Sequence, residues 1–323
     1  MRRRDVLALL GGTAALPFTA RACAAQPFRV GIAAPVSRTS GPFVAFQQRM
    51  AELGYRDGEN YVFDYVQALP AKLEDGWREV ASRKPDVLIA GGPEFELKLA
   101  MAASATTPIV MLAIDFDPIA RGYIAGLARP GGRITGIFMR QLELAQKRLR
   151  LFKDAFPATN AATVFWDSIS ADQWGASQIA GAEAGIKLIG VDLGPSPPAF
   201  DYEAAINKTP PDFRGTLVAI MSPALFYDRS RLVDFCLRNR MASVFGAREF
   251  VDSGGLMSYG ANIGDMWKKA AEYVAKIAGG ATPADLPVEQ PTKYELVVNL
   301  RSAARLGLEI PHLLLARADD LIE

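Results

Sequence analysis

Two successive series of short apolar runs, each run followed by an amphipathic segment, set the terms on which this chain can fold. In the first, Phe28–Ala33 leads through Pro35, Ser37, Ser40 and Gly41 to Phe43, Phe46, Met50 and Leu53 at helical spacing. Tyr61–Val66 alternates as a strand does, and Asp86–Ala90 and Ile109–Ile114 are runs suited to a parallel sheet covered on both faces. Helical segments lie between them, near 72–83 and 95–105. The second series runs through Thr163–Trp166, Ile186–Val191, Leu217–Met221 and Ser243–Gly246, with a helix predicted after each. Alternation of this kind builds α/β sheets with parallel strands. A chain of 323 residues also exceeds what one core usually organises.

Three stretches join the two series. Ala128–Arg133 is rich in turn residues and precedes a strand at Ile134–Phe138 and a long amphipathic segment, Leu142–Phe156, which marks a first crossing. Gly254 and Gly255 precede a strand at Leu256–Tyr259, after which Met266, Ala270, Tyr273, Val274 and Ile277 share one helical face. Pro283, Pro287 and Pro291 break regular structure before Tyr294–Asn299. The expected division is therefore a first lobe over 26–140 plus about 258–288, and a second over 141–257 plus about 289–323.

Residues 1–25 read as an address. Met1-Arg2-Arg3-Arg4 is positive, Val6–Ala20 is almost free of charge, and Ala22-Cys23-Ala24 offers a small-x-small cleavage pattern. Export to the periplasm is expected, and Arg3-Arg4 leaves the Sec and twin-arginine routes both open. Anchoring as a lipoprotein through Cys23 is the weaker reading, because Ala20-Arg21-Ala22 lacks an aliphatic residue three positions before the cysteine. Removal of the leader takes Cys23 with it, leaving Cys236 without a disulfide partner.

Composition and motifs exclude several chemistries. Thirty-six Lys and Arg stand against 35 Asp and Glu, too even for a nucleic-acid binder. One His and two Cys do not make a common zinc site. No P-loop and no dinucleotide fingerprint is present, so no cofactor is expected. Gly255–Gly260 fails as a nucleophile elbow because Leu256 stands two before Ser258, and His312 sits in an apolar C-terminal run. Cys236 lies on a helix face where a thiol is buried and inert. Binding is favoured over catalysis, and no enzyme activity is expected.

The run Asp117–Gly122 with Leu127–Gly136 resembles the ABC transporter substrate-binding proteins of the periplasmic-binding type I class, in the branch that includes tryptophan- and tyrosine-transport binding proteins. Gly254–Gly260, Leu286–Leu296 and the stretch from Asn299 through Leu306-Gly307-Leu308 to Pro311 and Leu314–Asp319 agree. The likeness spans the mature chain. Arg133 departs from the family's usual Asn, and the Ile114–Pro118 loop is poorer in glycine. The resemblance implies two Rossmann-like lobes joined by three hinge crossovers, closing on a small-molecule ligand, with an ABC permease and ATPase complex as partners and a monomeric state.

Ligands of open α/β sheets sit beyond the carboxyl ends of the strands. That rule selects Ser37, Thr39, Gly91, Gly92 and Asp115 in the first lobe, and Asp167, Ser168, Ser222, Arg248 and Glu249 in the second, with Tyr259 at the hinge. Hydroxyls and helix-terminal amides suit a carboxylate, while Asp115, Asp167 or Glu249 suits an ammonium group, as in an amino acid. Each also has a structural reading: Ser37, Thr39 and Asp117 as helix caps, Gly91-Gly92 as a turn, Arg248 with Glu249 as a solvated pair, Tyr259 and Trp166 as core aromatics. The reading is an exported solute-binding protein for a small organic solute, an amino acid or aromatic acid. A periplasmic sensor for a signalling protein, or an exported α/β hydrolase, would use the same scaffold.

Overall fold

The computed structural model of the chain describes residues 26–194 and 200–323. The expected leader at 1–25, with Cys23, lies outside the described residues. The first lobe alternates β1 (Phe28–Ala34), α1 (Gly41–Glu52), β2 (Tyr61–Gln67), α2 (Leu73–Ser82), β3 (Val87–Gly92), α3 (Glu94–Ala103), β4 (Ile109–Ala113) and β5 (Ile134–Phe138). Its strands form a parallel sheet in the order β2-β1-β3-β4-β5. All five residues of β4 are buried, as the unbroken apolar run requires of a strand covered on both faces. The helices reach the sheet through Phe43, Phe46 and Met50 of α1 and Leu73, Trp77 and Val80 of α2.

The second lobe carries α4 (Gln141–Ala155), β6 (Ala161–Trp166), α5 (Ala171–Ala184), β7 (Lys187–Asp192), α6 (Tyr202–Ile206), β8 (Thr216–Ala219), α7 (Pro223–Tyr227), α8 (Arg229–Arg238), β9 (Ala242–Phe245), α9 (Arg248–Asp252) and β10 (Met257–Ala261). The chain then returns to the first lobe as α10 (Ile263–Ala278). It re-enters the second lobe as β11 (Tyr294–Asn299), α11 (Leu300–Leu306), α12 (His312–Arg317) and β12 (Asp320–Ile322). The second sheet has the order β12-β11-β10-β9-β8-β6-β7.

Two expectations need correction. The boundary expected at about 258 moves to 262, because Met257–Ala261 pairs with β9 and β11 inside the second sheet. The expectation of parallel strands fails at β11, which runs antiparallel to β10. The reason is topological. β10 leaves the second lobe at its cleft end, the chain comes back from the first lobe at that same end, and the returning strand must therefore run the opposite way.

The crossings are tied to their surroundings by hydrogen bonds. Glu289 lies alongside β5, its carbonyl accepting from Phe138 N at 2.9 Å and its amide donating to Gly136 O at 3.0 Å. The helix α10 packs on α1, where Arg49 pairs with Glu272 at 2.8 Å. Beneath the first and second crossings Arg148 is buried on α4, donating from Nε to Tyr259 O at 3.1 Å and from Nη2 to Gln141 Oε1 at 2.7 Å. Burial pulls its guanidinium down to about 10.

Candidate functional site

The carboxyl ends of both sheets open on one cavity of about 510 Å³, lined from both lobes, a size typical of small-molecule sites. On the first lobe its wall is mainly apolar. Ala34 ends β1 and Val36 follows it, Phe43 lies in the first turn of α1, Ile114 follows β4, and Trp267 comes from α10. Phe43 meets Trp267 edge-on, with centroids 4.7 Å apart. Gly91 permits this packing, since a Cβ there would lie 2.5 Å from Cζ2 of Trp267. Gly92, with φ +153°, leaves room beside the carboxylate of Glu96, whose Oε2 would be 3.4 Å from a Cβ at that position.

Polar atoms on this wall are few. Ser40 occupies the N-cap position of α1 without making a side-chain capping bond, and its Oγ is buried and unbonded. Glu96, in the first turn of α3, is 5% exposed and lines the cavity. Burial, aided by the charge of nearby Asp115, pushes its carboxyl up to about 8.

The second lobe supplies the opposite wall. Ser222 ends the loop after β8, and its hydroxyl accepts from Leu225 N at 3.2 Å, capping α7. Beyond it lie Phe226 and Tyr227 of α7 and Arg229 at the start of α8. Arg229 donates Nη1 to Phe226 O at 3.0 Å and lies over that ring at 5.1 Å, but its Nε is buried and unbonded. Arg248 spends its guanidinium on Asp320 at 2.8 Å, Asp252 at 3.3 Å and Glu295 at 3.7 Å. These partners raise its pKa further, with the Asp252 bond the largest cause. Glu249 presents a buried, unbonded Oε2, and burial raises its carboxyl against the partly opposing charges of Arg229 and Arg248.

The structure places some of the predicted site residues in the cavity lining and the rest outside it. Gly91, Gly92, Ser222, Arg248 and Glu249 line the cavity. Ser37 and Thr39 are exposed and bonded to each other at 2.8 Å, in the turn that ends at Ser40, outside the lining. Asp115 is buried just behind the lining and accepts from Glu94 N at 3.2 Å, with its carboxyl raised to about 7 chiefly by burial. Asp167 closes a capping box with Ser170, Ser168 is exposed, and neither lines the cavity. Tyr259 packs against Tyr294 on the second sheet, with ring centroids 6.2 Å apart, and also lies outside the lining.

Strand-end reasoning missed Ser40, Glu96, Phe226, Tyr227, Arg229, Asn262 and Trp267. Ser40 and Asn262 carried a signal as helix N-cap types before apolar segments; Asn262 accepts from Asp265 N at 3.0 Å. Glu96, Arg229 and Trp267 sit within helices, where their facing depends on the fold. At the edge of the gap Arg121 of the first lobe pairs with Asp172 of α5 at 2.6 Å, so an ion pair spans the two lobes.

Residues 29–322 match the model of a family described as ABC transporter substrate binding protein. A tyrosine-binding protein of Clostridioides difficile is 21% identical over 279 residues, covering 82% of this chain and 76% of that protein. The crystal structure of a conserved domain protein from Vibrio cholerae superposes with a TM-score of 0.79 at 23% identity, over 92% of this chain and all of that one. A Streptococcus pneumoniae ABC domain in complex with L-Trp gives 0.79 at 21% identity, with 92% and 100% covered. These likenesses extend the two-lobed fold read from the sheets to solved proteins of the same architecture.

Proposed function

The chain belongs to the ABC transporter substrate-binding protein family, and on that premise we propose that it captures a small organic solute, an amino acid first among the candidates, and hands it to an ABC permease. One observation carries this reading. Polar and charged residues line a single, mainly apolar cavity from both sides: Ser40 and Glu96 on the first lobe, Arg229 and Glu249 on the second. A solute that touches both walls makes all of its contacts only when the lobes are together, so binding favours the closed arrangement.

The aromatic lining of Phe43, Trp267, Phe226 and Tyr227 suits a flat apolar body. Tyrosine and tryptophan, named for the two relatives above, are the first solutes to try. The partner is an ABC permease with its ATPase, the compartment is the periplasm, and the working form is a monomer. Among the described residues no helix is long and apolar enough to cross a membrane. Catalysis is disfavoured by the placement of the reactive side chains: His312 is exposed on α12, outside the cavity lining, and Cys236 is buried with its thiol pushed up by desolvation. A thermal-shift screen against amino acids and aromatic acids tests the reading. A true solute at about 100 times its Kd adds about 2.7 kcal/mol of stability; failure of every such solute to stabilise the chain overturns it.

A further inference from the structure

Glu96 stands apart from the other charged groups of the cavity. Arg248 is bound by three carboxylates, and Arg229 lies close enough to Glu249 to oppose the rise of its carboxyl. Glu96 has no such counterpart. The groups near it are Asp115 behind β4, Tyr65 of β2 and Tyr227 of α7. On its own helix Lys98 is drawn to Glu94 at 3.1 Å, and Arg121 lies 3.6 Å from Glu94 and pairs with Asp172. Among the described residues no basic side chain forms an ion pair with Glu96, and the wall around it is apolar. An ionised carboxylate in such a place is costly without a counter-charge.

Resting on the reading of the cavity as a solute site, we propose that Glu96 is the group that selects amine-bearing solutes, the ligand's ammonium replacing the carboxyl proton when the solute is captured. The exchange is balanced. The neutral carboxyl gives its proton to bulk water, the resulting carboxylate pairs with the incoming ammonium, and the amine keeps its own protons. Ser40 and Arg229, in the same lining, remain for the solute's other polar end. Two consequences follow. A solute identical in body but lacking the amine leaves Glu96 protonated and gains nothing from it, and each capture event below about pH 7 releases on the order of one proton.

Calorimetric titration at about pH 6, in two buffers of different ionisation heat, tests this. L-Tryptophan and L-tyrosine are compared with indole-3-propionate and 3-(4-hydroxyphenyl)propionate. The expected result is at least about tenfold tighter binding of an amino acid than of its amine-free partner, with a buffer-dependent heat reporting proton release. In Glu96→Gln that preference shrinks to within about threefold and the buffer dependence vanishes, while thermal unfolding stays cooperative. Asp115→Asn, outside the lining, keeps the preference and moves proton release to lower pH. Equal affinity for both members of a pair, or an unchanged buffer-dependent heat in Glu96→Gln, overturns the proposal while leaving the cavity a solute site. If neither amino acid nor its partner binds the wild-type chain, the proposal falls, and the solute reading is decided separately by the wider thermal-shift screen.

Discussion

Glu96 and Asp115 are carboxyls held largely protonated by burial, up to about 8 and about 7. The folded chain therefore keeps protons that the unfolded chain releases from about pH 4 upward, and stability falls wherever the folded state binds more protons. The midpoint of thermal unfolding of the solute-free protein is expected to decline from about pH 5 to about pH 8 and then level off. Glu96→Gln should flatten part of that decline; a midpoint that rises over the same interval would contradict the assignment. At this scale the sequence was legible where a strand end alone decides the outcome, as for Gly91, Ser222 and Glu249. It was not where backbone needs compete for a side chain. Asp167 is drawn into a capping box and Ser37 into a local turn, leaving Ser40 to face the cavity. Glu96 lies in a helix, and only the fold decides which turn of α3 meets the gap.

Among the elements, the apolar runs and their spacing made nearly every strand readable, with Ile134–Phe138 and Tyr294–Asn299 matching the observed bounds. Direction was harder. β11 carries the same apolar signature a parallel strand would, and its reversal follows from the end of the sheet at which the chain returns. The short edge strand β12, only three residues long and largely exposed, left no apolar pattern to read. Arg148 joins α4 to β10 through Tyr259 O and also holds Gln141 of its own helix, an arrangement that a basic residue on an amphipathic helix does not announce. Arg148→Ala should lower stability by about 1–3 kcal/mol, because a buried carbonyl and amide lose their donor. Chemical denaturation checks this, and a change below about 0.5 kcal/mol would mean that water replaces the guanidinium without loss.

For the whole molecule, the division into two sheets was readable, and the closeness of the lobes was not, since contacts such as Arg121 with Asp172 join segments 51 residues apart across the gap. Both side chains are about half exposed, so the pair contributes no more than about 1 kcal/mol. Arg121→Ala and Asp172→Ala should each weaken solute binding by less than about fivefold, with the double variant no worse than either single one. Additive losses measured by titration would show that the two side chains act separately. The central claim is that one unaltered solute molecule is held between walls from different lobes. Native mass spectrometry of the chain with a stabilising solute tests it most directly: the expected result is a single adduct of the solute's own mass, released unchanged on denaturation and lost in both Trp267→Ala and Arg229→Ala. An adduct that survives both substitutions, or a released compound of different mass, would contradict it.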